Sequence, residues 1–249
     1  MAAMTDAADA TGAGATLHYI FDPLCGWCYA AAPLVDAARE VPGLKVEFHG
    51  GGMMTGANRR PITPQWRDYV LPHDHRIAEM TGQPFGERYF EGLLRDTGAV
   101  MDSEPPTTAV LAAESLRPGG GLDMIHSLQR AHYVDGRRIA DVEVLKAIAG
   151  ELGFETEAFA SAFERQSGEA TARHIAESRQ FLQRAGGQGF PTFVLVQPDG
   201  SAGRVDIGPW LGRAEEWKKQ LAAVAEASKP APAAADAPAP ACGPDGCAI

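Results

Sequence analysis

Cys25 and Cys28 stand two residues apart, with Gly26 and Trp27 between them. Set between a strand end and a helix start, this pair puts one sulfur at the first helical turn. Unpaired N–H groups and the helix dipole favour negative charge there. That makes Cys25 the nucleophile, and Cys28, one turn on, can attack a mixed disulfide and release the partner. Zinc fits less well, because a closed structural site needs four ligands held together. The other two cysteines, Cys242 and Cys247, lie far along the chain beyond an Ala/Pro-rich stretch. A c-type haem requires His directly after the second cysteine, and position 29 is Tyr. Asp22-Pro23 upstream and the turn-like Gly26 argue against two inert core cysteines. No cofactor and no metal is expected.

Cys242 and Cys247 form a second pair in a Gly/Pro-rich turn. The tether at 229–241, if polyproline-like, reaches about 40 Å, enough to touch Cys25. An auxiliary redox pair is the expected role, with a terminal metal-binding tag and inert decoration as alternatives. Other tempting residues carry less. His73 and His75 lack the spacing of a helical metal pair and read as solvated loop. Arg59-Arg60 and Arg137-Arg138 are isolated in an acidic chain, and Gly50-Gly51-Gly52 does not continue into a phosphate-binding lysine. Met53-Met54 reads as core or groove lining.

The elements that must position these thiols come from a chain of 249 residues, 45% hydrophobic and 22% charged, which is enough to bury a substantial core. Wholesale disorder is excluded. Twenty-two Lys plus Arg against 32 Asp plus Glu leave a net charge of −10, which opposes binding to nucleic acid or anionic membrane. No apolar run approaches the ~20 residues needed to span a bilayer. Residues 1–16 contain neither Lys nor Arg and no apolar signal core, so the expected location is cytoplasmic.

Residues 1–15 read as a flexible leader. A β-compatible run at 17–21, an Ala-rich helical pattern at 27–40 and alternation at 44–48 make a strand, helix, strand unit. From 55 to 183 strand signals nearly vanish, and amphipathic segments at 85–94, 107–116, 122–134, 142–152 and 170–182 predict helices. Gly119-Gly120-Gly121, Asp135-Gly136 and Gly150 with Gly153 punctuate them. Runs at 192–197 and 204–207 around Pro198-Asp199-Gly200 predict a hairpin, and 213–227 a last helix. Residues 228–241 cannot bury enough surface to order and read as a linker.

Asp22-Pro23-Leu24-Cys25-Gly26-Trp27-Cys28, Pro33, and Gly189-Phe190-Pro191-Thr192-Phe193 resemble the thioredoxin superfamily. The long helical insertion resembles its DsbA family, in particular the FrnE-like oxidoreductases. The resemblance implies an α/β fold: a thioredoxin-like mixed sheet with a large all-helical insertion. The expected division is a thioredoxin-like domain at 16–54 and 185–227, a helical insertion at 55–184, and a flexible tail at 228–249. It implies that Pro191 is the family's cis-proline facing Cys25, and that Phe190 offers its backbone to an extended substrate by strand addition. Trp27, Phe190, Pro191 and Thr192 would then bind substrate. The implied function is thiol-disulfide oxidoreduction or isomerisation on protein thiols and disulfides or small thiols such as glutathione. FrnE-like relatives also carry a second, terminal cysteine pair, in keeping with the auxiliary role of Cys242 and Cys247. A glutathione-dependent isomerase or transferase of the 2-hydroxychromene-2-carboxylate isomerase or kappa type, and a redox-linked peptide-binding chaperone, are the alternatives. Two departures stand out. The dipeptide between the cysteines is Gly-Trp where DsbA has Pro-His, and the position that carries a buried acid in thioredoxin and DsbA is Tyr19, leaving His18 and Asp22 as the polar neighbours and no assigned proton acceptor.

Overall fold

Strict alternation on one short segment organises the sheet. In the computed structural model, which describes residues 14–227, strand β1 (Thr16–Phe21) turns Leu17, Tyr19 and Phe21 into one apolar layer. His18 and Ile20 face the opposite side. β2 (Lys45–Gly50) lies parallel to β1, with His18 opposite Glu47. On the other edge of β1, β5 (Thr192–Val196) runs antiparallel and is followed by β6 (Ala202–Val205), giving the order β2-β1-β5-β6. The hairpin is as expected, with its second strand two residues earlier.

The helical pattern at 27–40 divides into α1 (Gly26–Ala30) and α2 (Ala32–Arg39). Pro33, in the first turn of α2, has no N–H to give to a continuing helix, so the helix restarts there. Tyr19 packs against Phe193 with ring centroids 5.0 Å apart and the planes tilted by 30°. The final helix, α9 (Ala214–Ala227), closes the same layer by burying Trp217, whose indole N–H donates to the Leu34 carbonyl at 3.0 Å.

Between the two halves of the sheet lie α3 (Pro64–Thr81), α4 (Glu104–Leu116), α5 (Gly120–Tyr133), α6 (Val142–Glu151), α7 (Thr156–Gln166) and α8 (Glu169–Arg184). Periodicity does not reveal α3, because Pro72 interrupts it and few of its residues are fully buried, Asp74 and Ile77 among them. Its ends are nonetheless marked. Thr63 accepts the Trp66 N–H at 3.1 Å, and Gly82 ends the helix at φ +71°. The predicted helix at 85–94 is instead a π turn, Arg88–Gly92, running into a 3₁₀ turn, Leu93–Arg95. Gly120 starts α5 rather than breaking the chain, and a Cβ on it would stand 2.6 Å from the Ala113 carbonyl oxygen of α4. Only glycine permits that approach. Two-residue strands β3 (Arg60–Pro61) and β4 (Val100–Met101) pair antiparallel and are too short for any period to reveal. Among the described residues no helix is long and apolar enough to cross a membrane. The leader up to residue 13 and the tail from 228 onward, with Cys242 and Cys247, lie outside the described residues.

Candidate active site

Where β1 ends, Asp22 is fully buried and its carboxylate gathers three donors from three segments. Oδ1 accepts from the Leu24 N–H and the Ser103 hydroxyl, both at 2.9 Å, and Oδ2 from the Met53 N–H at 2.5 Å. Its own N–H donates to Cys28 Sγ at 3.5 Å. The loops after β1 and β2 and the start of α4 are thereby tied together directly beneath the cysteine pair.

Cys25 is the N-cap of α1 in an extended conformation, and its sulfur accepts the Cys28 N–H at 3.3 Å. The Cys25 thiol points at the Phe190 carbonyl oxygen, 3.5 Å away, and the Phe190–Pro191 peptide is cis. Both cysteines are free thiols. Cys28 is 0% exposed and Cys25 6%, yet Cys25 is not sealed, because it lines a cavity of about 430 Å³ together with Trp27, Met53, Arg60, Asp74 and Phe190. Burial pushes the Cys28 thiol well above the ordinary cysteine range. The hydrogen bond and charge of Cys25 push it further in the same direction.

The residues expected to bind substrate are only partly gathered here. Trp27 and Phe190 line the cavity. Thr192 is buried and turns its hydroxyl to the Gly189 carbonyl at 2.8 Å, away from that lining. His73 and His75 are on α3, not in a loop, and they diverge: His73 lines the cavity, while His75 stacks on Phe90 at 4.9 Å. Met53 and Met54 both line the cavity. The glycine triplet is a packing device. A Cβ on Gly51 would stand 2.1 Å from the Phe190 ring, and the carbonyls of Gly51 and Gly52 accept from Arg179 at 2.8 and 2.5 Å.

Two cavity residues escape a reading of the sequence. Arg60 belongs to a pair of charges that looks isolated along the chain, and its guanidinium lies 5.0 Å over the Trp66 ring. Asp74 sits on a helix that no apolar period marks. It is 4% exposed, accepts the Tyr89 hydroxyl at 2.8 Å, and comes within 3.1 Å of where a Gly26 Cβ would stand. Burial raises its carboxyl to about 7, with the Tyr89 hydrogen bond opposing.

A carboxyl whose folded pKa lies above its unfolded value contributes stability that is complete below the unfolded pKa and is lost as pH rises through the folded one. From about pH 4 to 7 the unfolded chain therefore ionises Asp74 while the folded chain does not. Asp74→Asn keeps an acceptor for Tyr89 and removes this slope. The variant is expected to gain on the parent across that window by on the order of 3 to 4 kcal/mol, and to run parallel to it above pH 8. Urea midpoints at pH 5, 6, 7 and 8 measure it, and equal spacing at all four would contradict the buried carboxyl.

The sequence profile of the DSBA-like thioredoxin domain matches residues 16–212. The chain is similar to the structure of the cytosolic disulfide reductase DsbM from Pseudomonas aeruginosa, at 53% identity and a TM-score of 0.80, covering 85% of this chain and 99% of that one. It is 51% identical to the same protein solved with GSH, at a TM-score of 0.77 and coverage of 84% and 98%. A candidate protein disulfide isomerase from Nitrosomonas europaea follows at 28% identity and a TM-score of 0.69, covering 85% and 97%. No curated protein matches the chain. A mixed sheet with a cysteine pair at the head of its first helix, a profile match over most of the chain, and a disulfide reductase sharing half its residues lead to one assignment: the chain belongs to the DSBA-like thioredoxin domain family and is a disulfide oxidoreductase.

Proposed function

We propose that the protein reduces disulfides in the cytosol through Cys25 and Cys28, drawing electrons from a small thiol of the glutathione type. The observation that carries this reading is the setting of Cys25. Its sulfur lies in the cavity, with the Cys28 N–H on one side and the Phe190 carbonyl on the other. The Cys25 thiolate attacks one sulfur of the substrate disulfide. That S–S bond breaks, and the leaving sulfur departs with the electron pair and takes a proton. Cys28 is held protonated by burial and by the charge and hydrogen bond of Cys25. Once Cys25 is in a mixed disulfide, both of those contributions fall away, so Cys28 ionises more easily. It then attacks the Cys25 sulfur and releases the second thiol. Two small thiols reduce the resulting Cys25–Cys28 disulfide. Asp74, whose carboxyl burial raises to about 7, lines the same cavity as Cys25. Trp27 and Phe190 form the substrate-facing edge in this reading, next to the peptide bond to Pro191, and Thr192 supports that loop through its hydrogen bond to the Gly189 carbonyl.

The relatives support the direction and the electron donor, since one at 53% identity is a cytosolic disulfide reductase and the same protein was solved with GSH. The cavity, about 430 Å³, is in the range of small-ligand sites, and Arg60 gives it a cation for a peptide carboxylate. Reduction of insulin at the expense of glutathione is expected, with Arg60→Ala raising KM for glutathione about tenfold at nearly constant kcat. Absence of insulin reduction with glutathione as donor would refute the reading. An unchanged KM in Arg60→Ala would remove the arginine from it.

A further inference from the structure

The geometry points to a divalent transition-metal site, matched to zinc, formed by His18 Nδ1, His49 Nε2 and Glu47 Oε2 on the face of the sheet turned away from the thiols. Parallel pairing sets His18 opposite Glu47, and His49 stands two residues along β2 on the same face as Glu47. Tyr19, which alternates with His18, donates its hydroxyl to the Cys28 carbonyl at 3.2 Å, so the layer that carries the thiols is the opposite one.

The two imidazole nitrogens are 2.9 Å apart, Glu47 Oε2 is 3.4 Å from His18 Nδ1, and all three ligand atoms lie within 4.8 Å of one another. Tetrahedral zinc with bonds of about 2.0–2.1 Å holds its ligand atoms roughly 3.3–3.4 Å apart. Opening the His–His contact by less than about half an ångström, with Glu47 and His49 drawn from at most 4.8 Å to the same spacing, makes room for the ion. The surroundings suit it. Lys45 Nζ holds the other oxygen of Glu47, Oε1, at 2.5 Å, which orients the carboxylate as an outer-shell partner does. Phe181 of α8 packs its ring 5.0 Å from His18 and 4.8 Å from His49, sheltering the imidazoles, while Glu47 stays 37% exposed and leaves an entry path. Two imidazoles and a carboxylate select zinc, copper or nickel over magnesium and calcium. Three protein ligands with one open position make the ion exchangeable.

The thiols would also take up zinc, so the test uses the full chain carrying Cys25→Ser, Cys28→Ser, Cys242→Ser and Cys247→Ser. Calorimetric titration with zinc chloride is expected to give one ion per chain. The imidazole nitrogen resonances of His18 and His49, and of no other histidine, should shift on binding. His18→Ala or His49→Ala should weaken binding by more than roughly 100-fold, beyond the cost of losing an outer-shell partner, while His75→Ala leaves it unchanged. The same two imidazole shifts are expected on the chain with all four cysteines in place, which requires no substitution. No binding to the thiol-free chain, or binding that leaves the His18 and His49 resonances where they were, overturns the proposal.

Discussion

Cys25→Ser is expected to cut disulfide reduction by at least about 1000-fold, a loss of roughly 4 kcal/mol or more of transition-state stabilisation. A serine hydroxyl is not ionised at neutral pH and cannot replace a thiolate as attacking group. The fold should survive, because Cys25 is the N-cap of α1 and its sulfur accepts the Cys28 N–H, a role serine fills well. Cys28→Ser is expected to behave differently. The first attack proceeds, but nothing resolves the adduct, so a mixed disulfide on Cys25 accumulates. Intact-mass analysis after incubation with glutathione disulfide, on chains that also carry Cys242→Ser and Cys247→Ser, should show one added glutathione on Cys28→Ser and none on Cys25→Ser. The opposite pattern would reverse the two roles. Equal adducts on both variants would mean that depth in the fold does not distinguish the two sulfurs, against the complete burial of Cys28 beneath a cavity-lining Cys25.

The placement of those two sulfurs, one at the helix N-cap and one inside its first turn, is legible in the sequence because it depends on local rules: a strand end, a helix start, a spacing of one turn. The sheet is legible for the same reason, since Leu17, Tyr19 and Phe21 share one face by alternation alone. The cavity above Cys25 is not. Arg60 sits in a two-residue strand, and Asp74 on a helix with Pro72 inside it and a thin apolar face. Neither leaves a periodic trace, and both reach the thiols only through tertiary packing. Asp22 stands in the sequence merely as a polar neighbour of the cysteines, because nothing local reveals that Met53 and Ser103 donate to it. His18, Glu47 and His49 read as ordinary strand residues until the parallel register sets the two strands side by side. Chemistry assembled along the chain is readable, and chemistry assembled across it is not.

Asp22 also carries the largest stability effect expected of a single side chain near the site. Asp22→Ala strands the N–H groups of Leu24 and Met53 in a place the side chain itself shows to be dry, as Asp22 is 0% exposed. Each unmet buried donor costs about 1–3 kcal/mol. The Ser103 hydroxyl loses its acceptor too, although it continues to accept the Met54 N–H at 3.0 Å. A loss of about 3–5 kcal/mol is therefore expected, which at ~2–4 °C per kcal/mol for a chain of this size lowers Tm by roughly 6–20 °C. Asp22→Asn should recover little of it. One carboxylate oxygen becomes an NH₂, and since both oxygens accept, one donor must then face another. Ser103→Ala should cost about 2–3 kcal/mol, because the carboxylate keeps its two backbone donors but the buried Met54 N–H loses its acceptor. A double-mutant cycle between the two positions separates the shared bond from the rest, with a coupling of about 1 kcal/mol expected for residues in one network. A loss below about 1 kcal/mol for Asp22→Ala would mean that water reaches the carboxylate. The joint between the β1 end, the β2 loop and α4 would then rest on apolar packing and not on this residue.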